Sequence, residues 1–330
     1  MMLRDLNKLS QDIFNISHHE EFNGMALEIF HLQYKNNMVY RHYCDLINTN
    51  ISEIRSYEDI PFLPVELFKT HRIATVAGTP EFKFFSSGTT AGNKSTHLVF
   101  NADLYRRSIL NGFRFFYGEP QAYCFIMLIP TDSYHPNSSL VFMADYLIEQ
   151  SRCPESGYYL GREKLIQEII REVNGLKIFV LGLSYALADL AEKRLCYIPD
   201  AVVMETGGMK GKRTEMTRDE LHSLICEGTG VRSVHSEYSM CELFSQAYSK
   251  EDGYFSSPPW MKILIRETND PFTLAGMGKT GIVNIADLAN INTCSFIETQ
   301  DLGRIHRNGE FEILGRIDHS ELRGCSLMTP

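Results

Sequence analysis

Phe85-Ser86-Ser87-Gly88-Thr89-Thr90-Ala91-Gly92-Asn93-Lys94-Ser95 is the stretch that decides how the rest of this chain is read. Residues 82–85 before it and 96–100 after it are rich in aromatic and β-branched side chains, as strands are. Between them lie hydroxyls, two glycines and a lysine. The backbone amides of such a loop can fold round a phosphate while the lysine supplies counter-charge. A solvent-exposed hairpin turn is the plain alternative. The spacing is not that of a Walker A loop, because the residue five after Gly88 is Asn93. Gly278-Lys279-Thr280 imitates the end of that motif, but Thr273 stands where its first glycine belongs, so a β-turn is expected there.

Downstream of the loop the pattern alternates between strand and helix. Asn101 or Asp103 can cap a helix running toward Phe116. Residues 123–129 form a continuous apolar run, as a strand covered on both faces does. Helices over 139–150, 162–173, 185–195 and 218–226 interleave with strands over 176–181, 201–205 and 231–235. That rhythm predicts a parallel sheet with helices on both faces. After residue 245 short strand-like pieces (261–266, 282–286, 311–314) between Gly, Asn and Pro predict an antiparallel sheet or barrel.

Upstream, the first sixty residues read as helix, with Phe22, Met25, Ala26, Ile29 and Phe30 at amphipathic spacing. Pro61 and Pro64 then impose an extended segment. The expected fold class is therefore α/β, a parallel doubly wound sheet with a β-rich, barrel-like annex. Its parts are a helical segment (1–70), a doubly wound core carrying the phosphate loop (71–244) and the annex with a C-terminal cysteine tail (245–330). In such sheets ligands bind beyond the carboxyl ends of the strands.

Composition bounds the function. The 330 residues fit about two domains or one large α/β unit, and 44% hydrophobic with 22% charged residues is ordinary globular usage. Lys+Arg 32 against Asp+Glu 41 gives −9, which argues against a broad nucleic-acid or anionic-membrane surface. No apolar run approaches the roughly 18 residues of a membrane span, and residues 1–7 contain no apolar stretch typical of a signal peptide. Eight cysteines without a C-x-x-C spacing suit neither a disulfide framework nor a structural zinc site. A cytoplasmic chain with free thiols is the expectation.

The 85–95 loop resembles the phosphate loop of adenylate-forming enzymes, with Ala91 for a usual Gly or Ser and Asn93 for the usual Pro. Further segments resemble the other motifs of that class, in order. Glu205-Thr206-Gly207-Gly208-Met209 is similar to the Gly-Gly segment that lies against adenine. Tyr238-Ser239-Met240-Cys241-Glu242 resembles Tyr-Gly-x-Thr-Glu, with Ser for Gly and Cys for Thr. Thr299-Gln300-Asp301-Leu302 resembles Thr-Gly-Asp-Leu, whose aspartate holds the ribose. Gly315-Arg316-Ile317-Asp318 resembles the Gly-Arg-x-Asp hinge, whose arginine faces the nucleotide. The finer resemblance is to LuxE-type acyl-protein synthetases, the fatty-acid-activating subunits of bacterial bioluminescence reductases. It is carried by Ile60-Pro61-Phe62-Leu63-Pro64, Glu205-Thr206-Gly207-Gly208-Met209-Lys210-Gly211, His235-Ser236-Glu237-Tyr238, Pro258-Pro259-Trp260-Met261 and Arg323-Gly324-Cys325-Ser326-Leu327.

The resemblance implies the N-terminal-domain-like fold of that class without its mobile C-terminal domain, and the cofactors ATP and Mg²⁺. Ser86, Ser87, Gly88, Thr89, Thr90, Gly92 and Lys94 would hold the β- and γ-phosphates. Gly207, Gly208 and Tyr238 would hold adenine, Asp301 the ribose, and Glu242 the Mg²⁺. The sequence runs twelve residues past Asp318, so Lys94, Lys210 or Arg316 is expected to stand in for the mobile domain's lysine. Cys325 is the expected acyl acceptor. It lies nine residues beyond Arg316, and an extended chain of that length reaches roughly 30 Å. A carboxylic acid is then the substrate, and an acyl-accepting reductase or transferase the partner. The alternatives are transfer to CoA, or a catalytically silent nucleotide-binding module. Plainer roles are a core aromatic at Tyr238, a helix-start acid at Glu242 and a turn former at Asp301. Phe62, Phe115, Phe116, Phe142 and Met143 are apolar enough for an acyl pocket, although such residues are usually core.

Overall fold

A computed structural model describes residues 6–86, 94–130, 137–173, 175–208, 213–214 and 216–317. The chain enters through α1 (Leu6–Asp12), α2 (His19–Asn36) and α3 (Met38–Leu46). In α2 the apolar stripe from Phe22 to Phe30 is buried, and Glu21 completes a capping box at His18. The proline-bearing segment becomes β1 (Leu63–Pro64), followed by α4 (Leu67–Thr70). A separate hairpin of β2 (Phe82–Phe85) and β3 (Thr96–Val99) flanks the loop quoted above. Its neck is tied by the Ser86 amide to the Ser95 carbonyl and by the Ser95 amide to Ser86 Oγ, each at 3.1 Å. In α5 (Ala102–Tyr117) the Asn101 side chain caps the Leu104 amide, as expected.

Strand and helix then alternate as β4 (Tyr123–Leu128), α6 (Ser139–Gln150), β5 (Gly157–Tyr158), α7 (Ile166–Glu172) and β6 (Lys177–Leu183). The series continues with α8 (Ser184–Glu192), β7 (Val202–Thr206), α9 (Arg218–Thr229) and β8 (His235–Tyr238). The five strands lie in the order β5-β4-β6-β7-β8, all parallel. Every position of β4 is buried, because successive side chains point to opposite faces and both faces are covered. Tyr123, Phe125 and Met127 join Phe113 of α5 and Leu147 of α6 in one core. Cys124, Ile126 and Leu128 join Ile166 of α7, Leu187 of α8 and Ile225 of α9 in the other. That is the doubly wound arrangement.

Beyond β8 the sheet turns antiparallel. β9 (Ala247–Ser249), β10 (Phe255–Ser256), β11 (Met261–Arg266), β12 (Gly281–Asp287), β13 (Phe296–Ile305) and β14 (Phe311–Arg316) follow in the chain. In space the order from β8 is β9-β10-β14-β13-β12-β11, and β1 adds parallel to β13, so a single twelve-stranded sheet runs through both parts. The strand expected over 231–235 lies instead at His235–Tyr238; Val231 and Val234 are buried in the approach to it. The connection from β12 to β13 is held by Gln33 of α2. Its Nε2 lies 3.2 Å from the Asn290 and Ile291 carbonyls, and its Oε1 accepts from the Ser295 amide at 2.9 Å. Among the described residues no helix is long and apolar enough to cross a membrane.

Candidate active site

A cleft of about 1210 Å³ opens where the ends of β6, β7 and β8 meet β13, β14 and the neck of the β2–β3 hairpin. Ser86, Lys94, Gly207, Gly208, Tyr238, Glu242, Asp301 and Arg316 all line it. The sequence spreads these residues over 231 positions; the topology gathers them at one rim. Ser87, Gly88, Thr89, Thr90, Gly92, Lys210 and Cys325 lie outside the described residues.

The backbone supplies part of the chemistry. Gly207, directly after β7, has φ +65°, a conformation that L side chains rarely adopt. Ser184 Oγ stands 2.8 Å from the Gly207 carbonyl and 3.0 Å from Glu205 Oε2, which fixes this turn. A Cβ on Gly208 would meet nothing within 4 Å, so bare backbone faces open space there, a surface on which a flat ring can lie. The N-terminal residues of α6 and α9 also line the cleft. Ser138 caps the former and Thr217, in a capping box with Glu220, the latter. Their partial positive ends favour an anion.

Tyr238, Asp301 and Arg316 form one linked group. Asp301 and Arg316 face each other in the β13–β14 register, which brings Arg316 Nε to 3.0 Å from Asp301 Oδ1. Tyr238 OH donates to Asp301 Oδ2 at 2.7 Å. Burial of the phenol and the adjacent Asp301 carboxylate hold the Tyr238 pKa well above its ordinary value. Asp301 lies inside β13, not in a turn, and its side chain is 8% exposed while that of Arg316 is 72% exposed. Edge contacts with Phe255 and Phe311 set the Tyr238 ring.

Glu242 is buried and begins no helix; it belongs to the connection between β8 and β9. Three anchors fix that connection. His97 Nδ1 lies 2.7 Å from the Cys241 carbonyl, Asn290 Nδ2 donates to the Glu242 carbonyl at 2.6 Å, and Asp287 Oδ2 accepts from the Phe244 and Ser245 amides. Burial lowers the His97 pKa to about 4, so the ring is neutral at ordinary pH. Burial also pushes Asp287 up, against the donors that surround it. Among the described residues no three His, Cys, Asp or Glu side chains group as a metal cage. Were a phosphate bound in this cleft, Glu242 is the residue type that would hold Mg²⁺, which takes one or two carboxylates with phosphate oxygens and water.

Several cleft residues escape a reading of motifs alone. Ser184 and Arg218 line the cleft outside every motif quoted above, and only the Ser138 and Thr217 caps carry a sequence signal for the helix ends. Phe62, Phe115, Phe116, Phe142 and Met143 are absent from its lining; Phe62 and Met143 are core, and Phe115 is exposed. Of the described cysteines, five are buried and two intermediate. Cys241 lines the cleft, with its thiol pKa pushed well up by burial and by Glu242.

This fold is shared with the ATP-bound MatB from Rhodopseudomonas palustris (TM-score 0.54, 15% identity), covering 73% of this chain and 49% of that one. It is shared more fully with 2-hydroxyisobutyryl-CoA ligase in an open conformation with 2-HIB-AMP and CoA (TM-score 0.67, 12% identity, 91% of this chain, 70% of that one). The chain spans about half the length of the MatB structure. The fold class is therefore that of the N-terminal portion of adenylate-forming enzymes. Residues 5–329 match the family described as acyl-protein synthetase, LuxE, and the chain belongs to that family, an AMP-forming ligase by class. A long-chain-fatty-acid–luciferin-component ligase of Aliivibrio fischeri is 21% identical over 338 residues (92% of this chain, 86% of the relative). A protein of the same description from Photorhabdus luminescens is 37% identical over 73 residues (22% of this chain, 60% of the relative).

Proposed function

We propose that this chain activates a fatty-type carboxylic acid with ATP and loads the acyl group onto its own Cys325. A carboxylate oxygen attacks the α-phosphorus, pyrophosphate leaves and an acyl adenylate remains. The observation that carries the reading is the convergence of Ser86, Lys94, Gly207, Gly208, Tyr238, Glu242, Asp301 and Arg316 on one cleft. In this reading Ser86, Lys94 and the 87–92 residues between them take the β- and γ-phosphates, with the α6 and α9 N-termini adding partial positive charge. Gly207, Gly208 and Tyr238 take adenine, and Glu242 takes Mg²⁺. Asp301 already accepts from Tyr238 and Arg316; each oxygen keeps a second lone pair for a ribose hydroxyl. Lys94, Lys210 or Arg316 offsets the charge of the departing pyrophosphate. Catalysis then rests on positioning and on charge placed before the reaction.

In the second step the Cys325 thiolate attacks the acyl carbon, AMP leaves, and the thioester passes to a reductase or transferase partner. The family description supports a protein as acceptor. Cys241 is a poor substitute, because burial keeps its thiol protonated and the thiolate is the nucleophile.

The test is acid-dependent exchange of labelled pyrophosphate into ATP across a panel of acids, followed by labelled acyl transfer. Exchange is expected with wild type and with Cys325→Ser, while stable acyl-protein is lost in the variant. Undiminished acyl-protein in Cys325→Ser rejects that acceptor, and undiminished acyl-CoA output assigns the acyl group to CoA. Absence of exchange with every acid leaves only a nucleotide-binding module.

A further inference from the structure

A second, smaller groove of about 310 Å³ adjoins the cleft. It falls at the lower end of the size range of small-ligand sites. Its polar lining is Lys69, Thr70, His71, Arg72, Lys83 and Thr96. Among the described residues no Asp or Glu lines it, in a chain with 41 acidic residues against 32 Lys and Arg. Lys69 lines both hollows. Side chains alternate along β2, so Lys83 and Phe85 share a face; Lys83 lines the groove and Phe85 the cleft. The cations Lys94 and Lys69 at the cleft thus continue into Arg72 and Lys83 in the groove. Arg72 is held in advance of any ligand. Its Nη2 donates to the Gly78 carbonyl at 2.8 Å, and its guanidinium lies over the Phe100 ring, 5.7 Å from the centroid.

Cations gathered in one hollow repel one another, and with no carboxylate among them only water or a bound anion offsets that cost. The donor set narrows the anion. Ammonium, guanidinium and hydroxyl groups together suit phosphate, with its several strong acceptor oxygens. A singly charged carboxylate would leave most of the positive charge unmatched. Activation by ATP makes a multiply charged phosphate anion, pyrophosphate, on the other side of Lys69. We propose that the groove is a second phosphate site, which receives that pyrophosphate as it leaves the cleft, with Lys69 shared between the two. The proposal rests on the activation reading for the source of the anion, whereas the groove's affinity for pyrophosphate does not. Product held in the groove is out of reach of the acyl adenylate, so the bound equilibrium moves toward the adenylate.

Equilibrium dialysis of labelled pyrophosphate tests it on wild type, Lys83→Glu and Lys83→Met. The cleft is filled with α,β-methylene-ATP, an analogue that cannot release pyrophosphate. Wild type is expected to bind one pyrophosphate per chain beside the analogue. Lys83 is exposed and lines the groove but not the cleft, so both variants should keep wild-type analogue binding and melting temperature. Lys83→Glu should weaken the pyrophosphate bound beside the analogue by roughly tenfold or more. Lys83→Met should weaken it less, since charge reversal adds a repulsion to the lost attraction. Pyrophosphate displaced outright by the analogue, or held equally by wild type and Lys83→Glu, overturns the groove and leaves the activation reading untouched. Equal affinity for sulfate and inorganic phosphate reduces the groove to a nonspecific basic patch and rejects the assignment. Analogue binding absent, with pyrophosphate still bound and still weakened by Lys83→Glu, overturns the activation reading and keeps the groove. A failure of Lys83→Glu to fold leaves Lys83→Met to decide.

Discussion

Asp301 serves two partners with one carboxylate, Tyr238 from β8 and Arg316 from β14. The two roles have different energetic weights. Arg316 is mostly exposed, so its ion pair contributes about 0–1 kcal/mol to stability. If Asp301 also holds the ribose hydroxyls, that contact is a charge-assisted hydrogen bond of about 1.5–3 kcal/mol. Asp301→Asn should therefore lower kcat/KM for ATP by roughly 10- to 100-fold while the melting temperature hardly moves. Exchange kinetics and a melt on the same samples check it; a large melting loss with unchanged KM for ATP assigns Asp301 to the framework. At this scale the placement was legible in contiguous motifs, since Tyr238, Glu242, Asp301 and Arg316 line one cleft as expected. Ser184 was not, because its bond to the Gly207 carbonyl joins the start of α8 to a turn 23 residues away.

The connection that carries Glu242 has no helix or strand of its own, so its shape is imposed by neighbours. His97 is the most telling of them. It bridges the Cys241 carbonyl and Thr293 Oγ1 (3.1 Å) from the buried face of β3. Burial lowers its folded-state pKa to about 4, against about 6.5 in an unfolded chain. The stability this gives is fully present above about pH 6.5 and is lost as the pH falls toward 4, up to about 3 kcal/mol. His235 is lowered to about 4 as well, by burial and then Lys250. Asp287 and Glu237, raised by burial, act with the opposite sign, so the wild-type curve alone is not diagnostic. Denaturant unfolding of wild type and His97→Asn at about pH 7 and pH 4.5 isolates the effect. The variant should be less stable at neutral pH and lose less on acidification; an equal loss in both proteins rejects the assignment. Elements with an unbroken apolar run or a clear cap were readable, and 82–85, 139–150 and 261–266 coincide with β2, α6 and β11. The ten-residue β13 was not, since only half of its positions are buried and Thr299, Gln300, Asp301 and Gly303 break the apolar pattern.

At the scale of the molecule the parallel and antiparallel parts meet through the β8–β9 pair, with Ser236 opposite Ser249 and Tyr238 opposite Ala247. Local pattern could announce two kinds of sheet but not their strand order, because β1–β13 and β10–β14 are pairings between distant segments, and the β8–β9 pair closes over a connection with no helix or strand of its own. The proposed nucleotide site straddles that union. Gly207, Gly208 and Tyr238 belong to the parallel part, and Asp301 and Arg316 to the antiparallel part. A ligand held from both sides couples them, so saturation should stabilise the whole sheet instead of one flank. At a hundred times Kd the gain is about 2.7 kcal/mol, roughly 4 °C in melting temperature for a chain of this size. Hydrogen exchange locates it. Slowed exchange at β7 and β8 together with β13 and β14 is the expected pattern with ATP present. Protection confined to β7 and β8 would detach Asp301 and Arg316 from the nucleotide, leaving their ion pair as a strand-to-strand contact and the ribose without its carboxylate.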